Sequence, residues 1–371
     1  MRIVLTGGGT GGHLFPLVTV AEKIKEKRFD TEFLFIGPDG KMENEIMERY
    51  RIPVKNIKVG KIRRYFSLMN FVDFFKVIIG IFQSLWILWK YMPDAIFSKG
   101  GYASFPVVFS GWLYRIPILI HDSDATPGMA NSILGKFADR VAVSYPEAER
   151  EFPAEQVVLT GNPIRADIAS GDINKANELF HLSPQRKTLF VWGGSQGAKL
   201  INDKIIDLLP ELLRKYQVIH QTGENNFEEA KHRAGELGIK AGHEGYFPVA
   251  FIGDELKDIL AVSDLVISRA GANSISEIAA NGKPAILIPI EKSANNHQRM
   301  NAYSVARMGG CIVLEENNLG GNLLLSRINE ILDDENLKNK LSENIRRFYH
   351  PEASDRLADG ILGIIKSGVR Q

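Results

Sequence analysis

Short apolar runs recur along the chain, spaced to leave room for a helix between them. Those at 2–6, 32–37, 94–98, 116–121, 140–144 and 157–160 predict strands in the first half. Those at 188–192, 216–220, 264–268, 285–289 and 311–314 do so in the second. Several, such as PILI, LVIS and AILIPI, are apolar throughout. A strand with one wet face alternates apolar and polar residues; a parallel strand covered by helices on both faces does not need to. Helical periodicity fills the gaps, for example over 17–27 and 198–214. The alternation of strand and helix through both halves predicts two doubly wound, parallel-sheet α/β domains of Rossmann type facing a cleft. Gly, Asn and Pro in TGNPIR at 160–165 mark the connector. The expected division is 1–162 and 163–345, with a helix over 346–371 packing back onto the first domain.

Composition narrows the class only slightly. A chain of 371 residues, 44% hydrophobic and 24% charged, is long enough for two cored domains. Its net charge of +1 gives no argument for nucleic acid as a partner. Cys311 is the one cysteine, which excludes an intramolecular disulfide and a cysteine-based metal cluster and fits a reducing compartment. The first residues run straight into a strand, which predicts no signal peptide and a protein kept inside the cell.

Chemistry enters with two glycine-rich turns, RIVLTGGGTGGH at 2–13 and TLFVWGGSQG at 188–197, each following an apolar strand. Glycine lets backbone N–H groups approach an anion, and a helix N-terminus behind the turn adds partial positive charge. Gly7, Gly9 and Gly12 satisfy the dinucleotide fingerprint G-x-G-x-x-G. That fingerprint also wants an acid ending the second strand, whereas FLFIG ends in Gly37 with Asp39 beyond Pro38. A dehydrogenase therefore fits poorly. His13 closes the first turn, where an imidazole either caps and packs or accepts a proton near neutral pH.

The matching stretches become specific when taken together: GGGTGGH at 7–13, FSKGGYASFPV at 97–107, HDSDATPGMAN at 121–131 and TGNPIR at 160–165. GGSQGAKLIN at 193–202, HQTG at 220–223, SRAGANSISEIAANGKPAILIPI at 268–290 and HQ…NA at 297–302 follow in order. In these the chain resembles the MurG family of bacterial transferases. That family adds N-acetylglucosamine to undecaprenyl-pyrophosphoryl-N-acetylmuramoyl-pentapeptide (lipid I), giving lipid II for peptidoglycan. The resemblance implies the two-domain GT-B architecture, inversion at the anomeric carbon, UDP-N-acetylglucosamine as donor, and neither a cofactor nor a metal for transfer.

It also implies roles. In the second domain Gly194, Ser195 and their neighbours would meet the donor diphosphate, with Arg165 adding a cationic fork. Ile252 would read the uracil edge through its backbone, a role carried by the resemblance alone. Gly271 and Ala272 would admit the donor sugar, and Gln298 and Asn301 would supply amides for its hydroxyls. Glu277 stands in Ser274-Ile-Ser-Glu277, which reads as a capping box in the bare sequence and as the holder of the ribose hydroxyls by resemblance. In the first domain Thr10, Gly11 and Gly12 form a further anion turn, and His13 is expected to be the general base. Tyr102, His121 and Asp124 are expected on the acceptor side, Tyr102 fitting an ordinary packed ring equally well. Asp122-x-Asp124 matches the D-x-D of metal-dependent transferases, but the motif is short and lies in the half opposite the donor. No metal is expected.

Nine Lys or Arg against two acids lie between 51 and 100, around FVDFFKVIIGIFQSLWILWKYM at 71–92. The run between Lys76 and Lys90 is 13 residues, short of the roughly 20 a span needs. A buried core helix is one reading. Phe75, Phe82, Trp86 and Trp89 with flanking bases favour the other, an interfacial helix against anionic lipid. The expectation is a peripheral enzyme at the cytoplasmic face of the plasma membrane, with partners among the cell-wall and division proteins left unassigned. Its rivals are a related GT-B transferase on another lipid, a sugar-nucleotide epimerase, and a catalytically silent sugar-nucleotide-binding scaffold.

Overall fold

The computed structural model describes residues 1–9, 11–60, 68–193, 198–291, 293 and 296–368. The chain forms two compact units, one of Met1–Arg165 with His350–Gln371 and the other of Ala166–Tyr349.

Among the described residues the first unit is built on seven strands: β1 (Arg2–Thr6), β2 (Glu32–Gly37), β3 (Val54–Asn56), β4 (Ala95–Ser98), β5 (Ile118–Asp122), β6 (Arg140–Val143) and β7 (Val157–Leu159). They pair in the order β3-β2-β1-β4-β5-β6-β7, parallel throughout. Alternate residues of β1 serve opposite faces. Ile3 and Leu5 join a core with Leu14 and Leu17 of α1 (Gly11–Lys27) and with Leu357 and Ile361 of the helix Ala353–Ser367. Val4 joins Leu88 of α3 (Leu68–Tyr91) and Val107 of α4 (Phe105–Leu113) on the other face. Both faces of the strand are dry, which is why its sequence does not alternate. A further helix, α2 (Lys41–Arg49), follows β2.

Among the described residues the second unit has six strands, β8 (Lys187–Trp192), β9 (Tyr216–Gln221), β10 (Tyr246–Val249), β11 (Leu265–Ser268), β12 (Ala285–Leu287) and β13 (Ile312–Val313). Their order is β10-β9-β8-β11-β12-β13, again all parallel. Two strands escaped the sequence reading. β3 is a three-residue edge strand with exposed Lys55 and Asn56, and β10 carries Pro248 in YFPV. Both are edges, where burial on two faces is not required and the apolar signal fades.

α3 departs from the soluble pattern. Its inner stripe is Asp73, Gly80, Ser84 and Leu88, small or polar apart from the last. Its outer stripe is aromatic: Phe71, Phe74, Phe75, Phe82, Trp86 and Trp89 are exposed, Phe82 by 68% and Trp86 by 64%. The inner face is fastened to α4, where Ser110 Oγ donates to the Ile81 carbonyl at 3.2 Å and Tyr114 to that of Leu85 at 3.3 Å. Counting between lysines understated the helix. Lys76 lies inside it, paired with Asp73 at 3.1 Å, and the stretch Phe71–Tyr91 is long and apolar enough to cross a membrane by length and composition. Lys99, counted among the bases of this region, is only 2% exposed and belongs elsewhere.

Candidate active site

In each sheet the strand order reverses next to a glycine turn: β1 sits between β2 and β4, and β8 between β9 and β11. Ligands of open α/β sheets bind beyond the carboxyl ends of strands at such switch points, because neighbouring loops there diverge to opposite faces. The turn GGGTGG follows β1 and SKGGY follows β4; GGSQG follows β8 and SRAGAN follows β11. Each unit thus has a candidate half-site of its own.

In the first unit His13 is the third residue of α1, half-buried at the helix N-terminus. Its Nδ1 lies 2.9 Å from the Gly8 carbonyl. A carbonyl oxygen only accepts, so Nδ1 carries the proton and Nε2 keeps the lone pair. Burial holds the imidazole pKa below its ordinary 6.5, and the nearby Lys99 charge pushes the same way, with Asp124 opposing. His13 is therefore a neutral imidazole at physiological pH.

Around it the second turn closes in. Gly100 and Gly101 both have φ above +80°, accessible to glycine at little cost. A methyl group at Gly101 would stand 3.2 Å from the His13 ring, and one at Gly9 would meet the Tyr102 ring at 3.5 Å. Tyr102 is thus gathered to the glycine turn. Lys99 Nζ donates to His121 Nδ1 and to Ser123 Oγ, each at 2.7 Å. Burial lowers its pKa to about 8, Asp122 and Asp124 opposing the fall. His121 is wholly buried, with Nε2 donating to the Gly161 carbonyl at 3.0 Å; burial and then Lys99 hold its pKa well below 6.5. Its two nitrogens are thus engaged within the fold, which suits bracing better than substrate contact. Asp122 is similarly committed. One oxygen accepts from the Asp124 amide at 2.9 Å, the other from Asn131 Nδ2 at 2.8 Å and the Gly128 amide at 3.3 Å. Burial raises its pKa, with the Asp124 carboxylate adding to the rise. It ties down a loop rather than offering lone pairs to a cation. Asp124 is half-buried and feels both His13 and Lys99.

Glu43 was not anticipated. It is 6% exposed on α2, four residues before the buried Met47, and Oε1 accepts from the Gly9 amide at 2.9 Å. An acid at i beside an apolar residue at i+4 on the inner face of a short helix was the available signal. Lys99, immediately after the buried strand AIFS, gave a similar one.

In the second unit Gly194 and Ser195 lie outside the described residues, as does Thr10 in the first. The helix Lys199–Leu212 begins just beyond that turn. Behind it runs a buried chain of hydrogen bonds. Tyr246 O–H donates to His220 Nδ1 at 3.1 Å, His220 Nε2 to Asn202 Oδ1 at 3.0 Å, and Asn202 Nδ2 to the Thr222 carbonyl at 2.8 Å. Burial takes the His220 pKa down to about 3. This brace, too, was missed as such, because its members are 44 residues apart in sequence between Asn202 and Tyr246.

The helix Ala272–Asn281 has Gly271 as its cap, so Ser274 and Glu277 are both interior positions. The capping-box reading of Glu277 fails: its helix starts three residues earlier than that reading requires. A methyl group at Gly271 would meet only Ser274 Oγ, at 3.9 Å, which leaves open space at the start of the helix. Asn301 is fully buried and Nδ2 donates to the Ala270 carbonyl at 3.1 Å, so it shapes the RAGAN turn from behind. Gln298 Oε1 accepts from the Ile290 amide at 3.1 Å. Ile252 is buried beyond β10, and Arg165 is half-buried at the end of the first unit. Gly11 and Gly12 open α1.

Residues 3–143 match the glycosyltransferase family 28 N-terminal domain and residues 188–357 the glycosyltransferase family 28 C-terminal domain. The chain is 41% identical over 331 residues to UDP-N-acetylglucosamine--N-acetylmuramyl-(pentapeptide) pyrophosphoryl-undecaprenol N-acetylglucosamine transferase 2 of Bacillus anthracis, covering 89% of this chain and 91% of the relative. It is 37% identical over 365 residues to the Clostridium perfringens transferase of the same name, covering 98% and 96%. Among solved structures, Acinetobacter baumannii MurG superposes with a TM-score of 0.75 at 24% identity, over 98% of this chain and 99% of that one. The UDP-GlcNAc 2-epimerase of Neisseria meningitidis, bound to UDP-GlcNAc, gives 0.71 at 11% identity over 98% and 100%, a likeness of fold. With its two parallel sheets in the GT-B fold and this extent of identity, the chain belongs to the MurG family of glycosyltransferase family 28 enzymes.

Proposed function

We propose that the chain moves N-acetylglucosamine from UDP-N-acetylglucosamine to the muramoyl 4-hydroxyl of lipid I, forming lipid II with inversion at the anomeric carbon. His13 carries the reading. A neutral imidazole with its proton fixed on Nδ1 presents Nε2 to a hydroxyl. The acceptor oxygen forms its bond to the anomeric carbon, its proton passes to Nε2, and UDP leaves with the electrons of the broken glycosyl bond. The turn around Ser195, the amides starting the helix Lys199–Leu212 and Arg165 take up the charge on the departing diphosphate. Glu277, an interior residue of the helix Ala272–Asn281, holds the donor ribose, and Gly271 and Ala272 give the sugar room. Thr10, Gly11 and Gly12 receive the acceptor pyrophosphate, with Tyr102 and Asp124 beside it. In this reading the unit beginning at Met1 binds acceptor and membrane, and the unit beginning at Ala166 binds donor.

The enzyme works at the cytoplasmic face of the plasma membrane as a peripheral protein. A helix that buries Gly80 and Ser84 while exposing Phe75, Phe82, Trp86 and Trp89 is inside out for water and suits the acyl–headgroup boundary of an anionic bilayer. The deciding experiment is transfer of labelled N-acetylglucosamine to a lipid I analogue in the presence of EDTA. Product formation is expected; donor binding without transfer would instead mark a silent scaffold.

A further inference from the structure

The Gly8 carbonyl and the Gly9 amide are the two ends of one peptide group. Its oxygen accepts from His13 Nδ1 at 2.9 Å, and its N–H donates to Glu43 Oε1 at 2.9 Å. We propose that Glu43 is a positioning residue for His13, acting through the Gly8–Gly9 peptide plane: carboxylate, peptide and imidazole form one directed chain that fixes the ring and its tautomer. This rests on the reading of His13 as base.

The physical case begins with the peptide itself. It is planar, so whatever holds its N–H also aims its carbonyl. Here both flanking residues are glycines, with φ of 140° at Gly8 and 92° at Gly9. Without Cβ atoms such a peptide rotates as a unit with little steric resistance. A rotated peptide would turn its N–H toward the ring, and Nδ1 would then have to accept. The proton would move to Nε2, and the lone pair needed for proton abstraction would be gone. An anionic acceptor opposite the Gly9 amide opposes that rotation, and successive hydrogen bonds polarise one another in the same sense.

The burial of Glu43 makes sense only with such a partner. A carboxylate taken out of water costs several kcal/mol unless strong donors meet it. Glu43 is the third residue of α2, the place from which a glutamate ordinarily reaches back to its own helix start. Instead Oε1 spans 34 residues of sequence to the glycine turn. Room is made for it by Gly40, where a methyl group would fall 2.0 Å from Oε2, and at Gly8, where one would fall 3.2 Å from Oε1.

The test reads the tautomer directly. Ring nitrogens of ¹⁵N-histidine-labelled protein are recorded by NMR near pH 7.5, His13 being assigned by its loss in His13→Gln. The wild type is expected to carry its proton on Nδ1 and to show a hydrogen-bonded Gly9 amide. Glu43→Gln keeps an oxygen for that amide and should retain the tautomer and most of kcat. Glu43→Leu should mix the tautomers and lower kcat about 10- to 100-fold, as loss of a ring-orienting partner does elsewhere, with donor KM unchanged. A wild-type ring protonated on Nε2 overturns the proposal, and this needs no variant that could misfold. A folded Glu43→Leu protein with an unchanged tautomer overturns it too. If the tautomer moves while His13→Ala remains fully active, the positioning stands and the assignment of His13 as base falls.

Discussion

Glycine-rich segments follow equivalent strands in the two sheets, β1 and β8, yet the polar side chains buried in the two units differ in kind. Near the turn after β1 lie His13 and Lys99, both with pKa values lowered chiefly by burial, and Glu43, which accepts from the Gly9 amide. From the helix Lys199–Leu212, which follows β8, runs a chain in which His220 is spent on hydrogen bonds and held neutral by burial. An acceptor alcohol needs a base, whereas a departing diphosphate needs only fixed donors. On the proposed reading the same topology would serve acceptor and donor alike, and the buried side chains would decide which.

The comparison is most exposed at its histidines. Replacing His13 with Ala should reduce kcat by about 10²–10⁴ while leaving donor affinity intact. Near-normal turnover would remove the distinction between the turns. Next in size is the aromatic face, which belongs to the first unit. Full burial of one large apolar side chain is worth about 1.5–3 kcal/mol, so partial insertion of three rings contributes about 2–4 kcal/mol. Changing Phe82, Trp86 and Trp89 to Ser should weaken partition into anionic vesicles about 30- to 1,000-fold, read by sedimentation of folded protein. Unchanged sedimentation would place the anchor elsewhere.

His220→Phe should act on stability rather than on proton transfer. It strands Asn202 Oδ1 and the Tyr246 hydroxyl, at about 1–3 kcal/mol for each buried group left unpaired. Urea unfolding should register the loss, and the pH profile of kcat/KM should keep its shape. The sign with pH is fixed as well. Folding lowers the His220 pKa from 6.5 to about 3, so the unfolded chain binds the extra proton between those values. Its contribution is intact above pH 6.5 and is lost as pH falls toward 3, a loss that His220→Phe should lack.

The smallest effect is a shift of the activity profile. A His13 acting as base must be unprotonated, and its pKa is lowered, so on that reading the acid limb of kcat/KM should lie below pH 6.5. Lys99→Met removes a cation that favours the neutral ring, and the limb should move to higher pH. A limb that stays in place would show that burial alone sets the base.

Legibility followed burial and distance in sequence. Strands inside the sheets were plain because two dry faces demand unbroken apolar runs; of the four edges, β7 and β13 stay apolar and were legible, while β3 with Lys55 and Asn56 and β10 with Pro248 were not. The glycine turns and His13 were plain because their residues are consecutive. Glu277 was ambiguous because Ser-x-x-Glu fits two jobs, and the position of Gly271 as the helix cap removes one of them, the capping box.

By itself the order of residues determined the layered α/β plan, the two glycine-rich segments and the histidine after the first, since each is written in near neighbours. Tertiary structure alone decided that Lys99 lies inside rather than on a basic surface, that α3 turns its aromatics outward, and that Glu43 reaches the glycine turn. Those outcomes depend on what packs against each side chain, and a sum of long-range contacts leaves no local pattern to read.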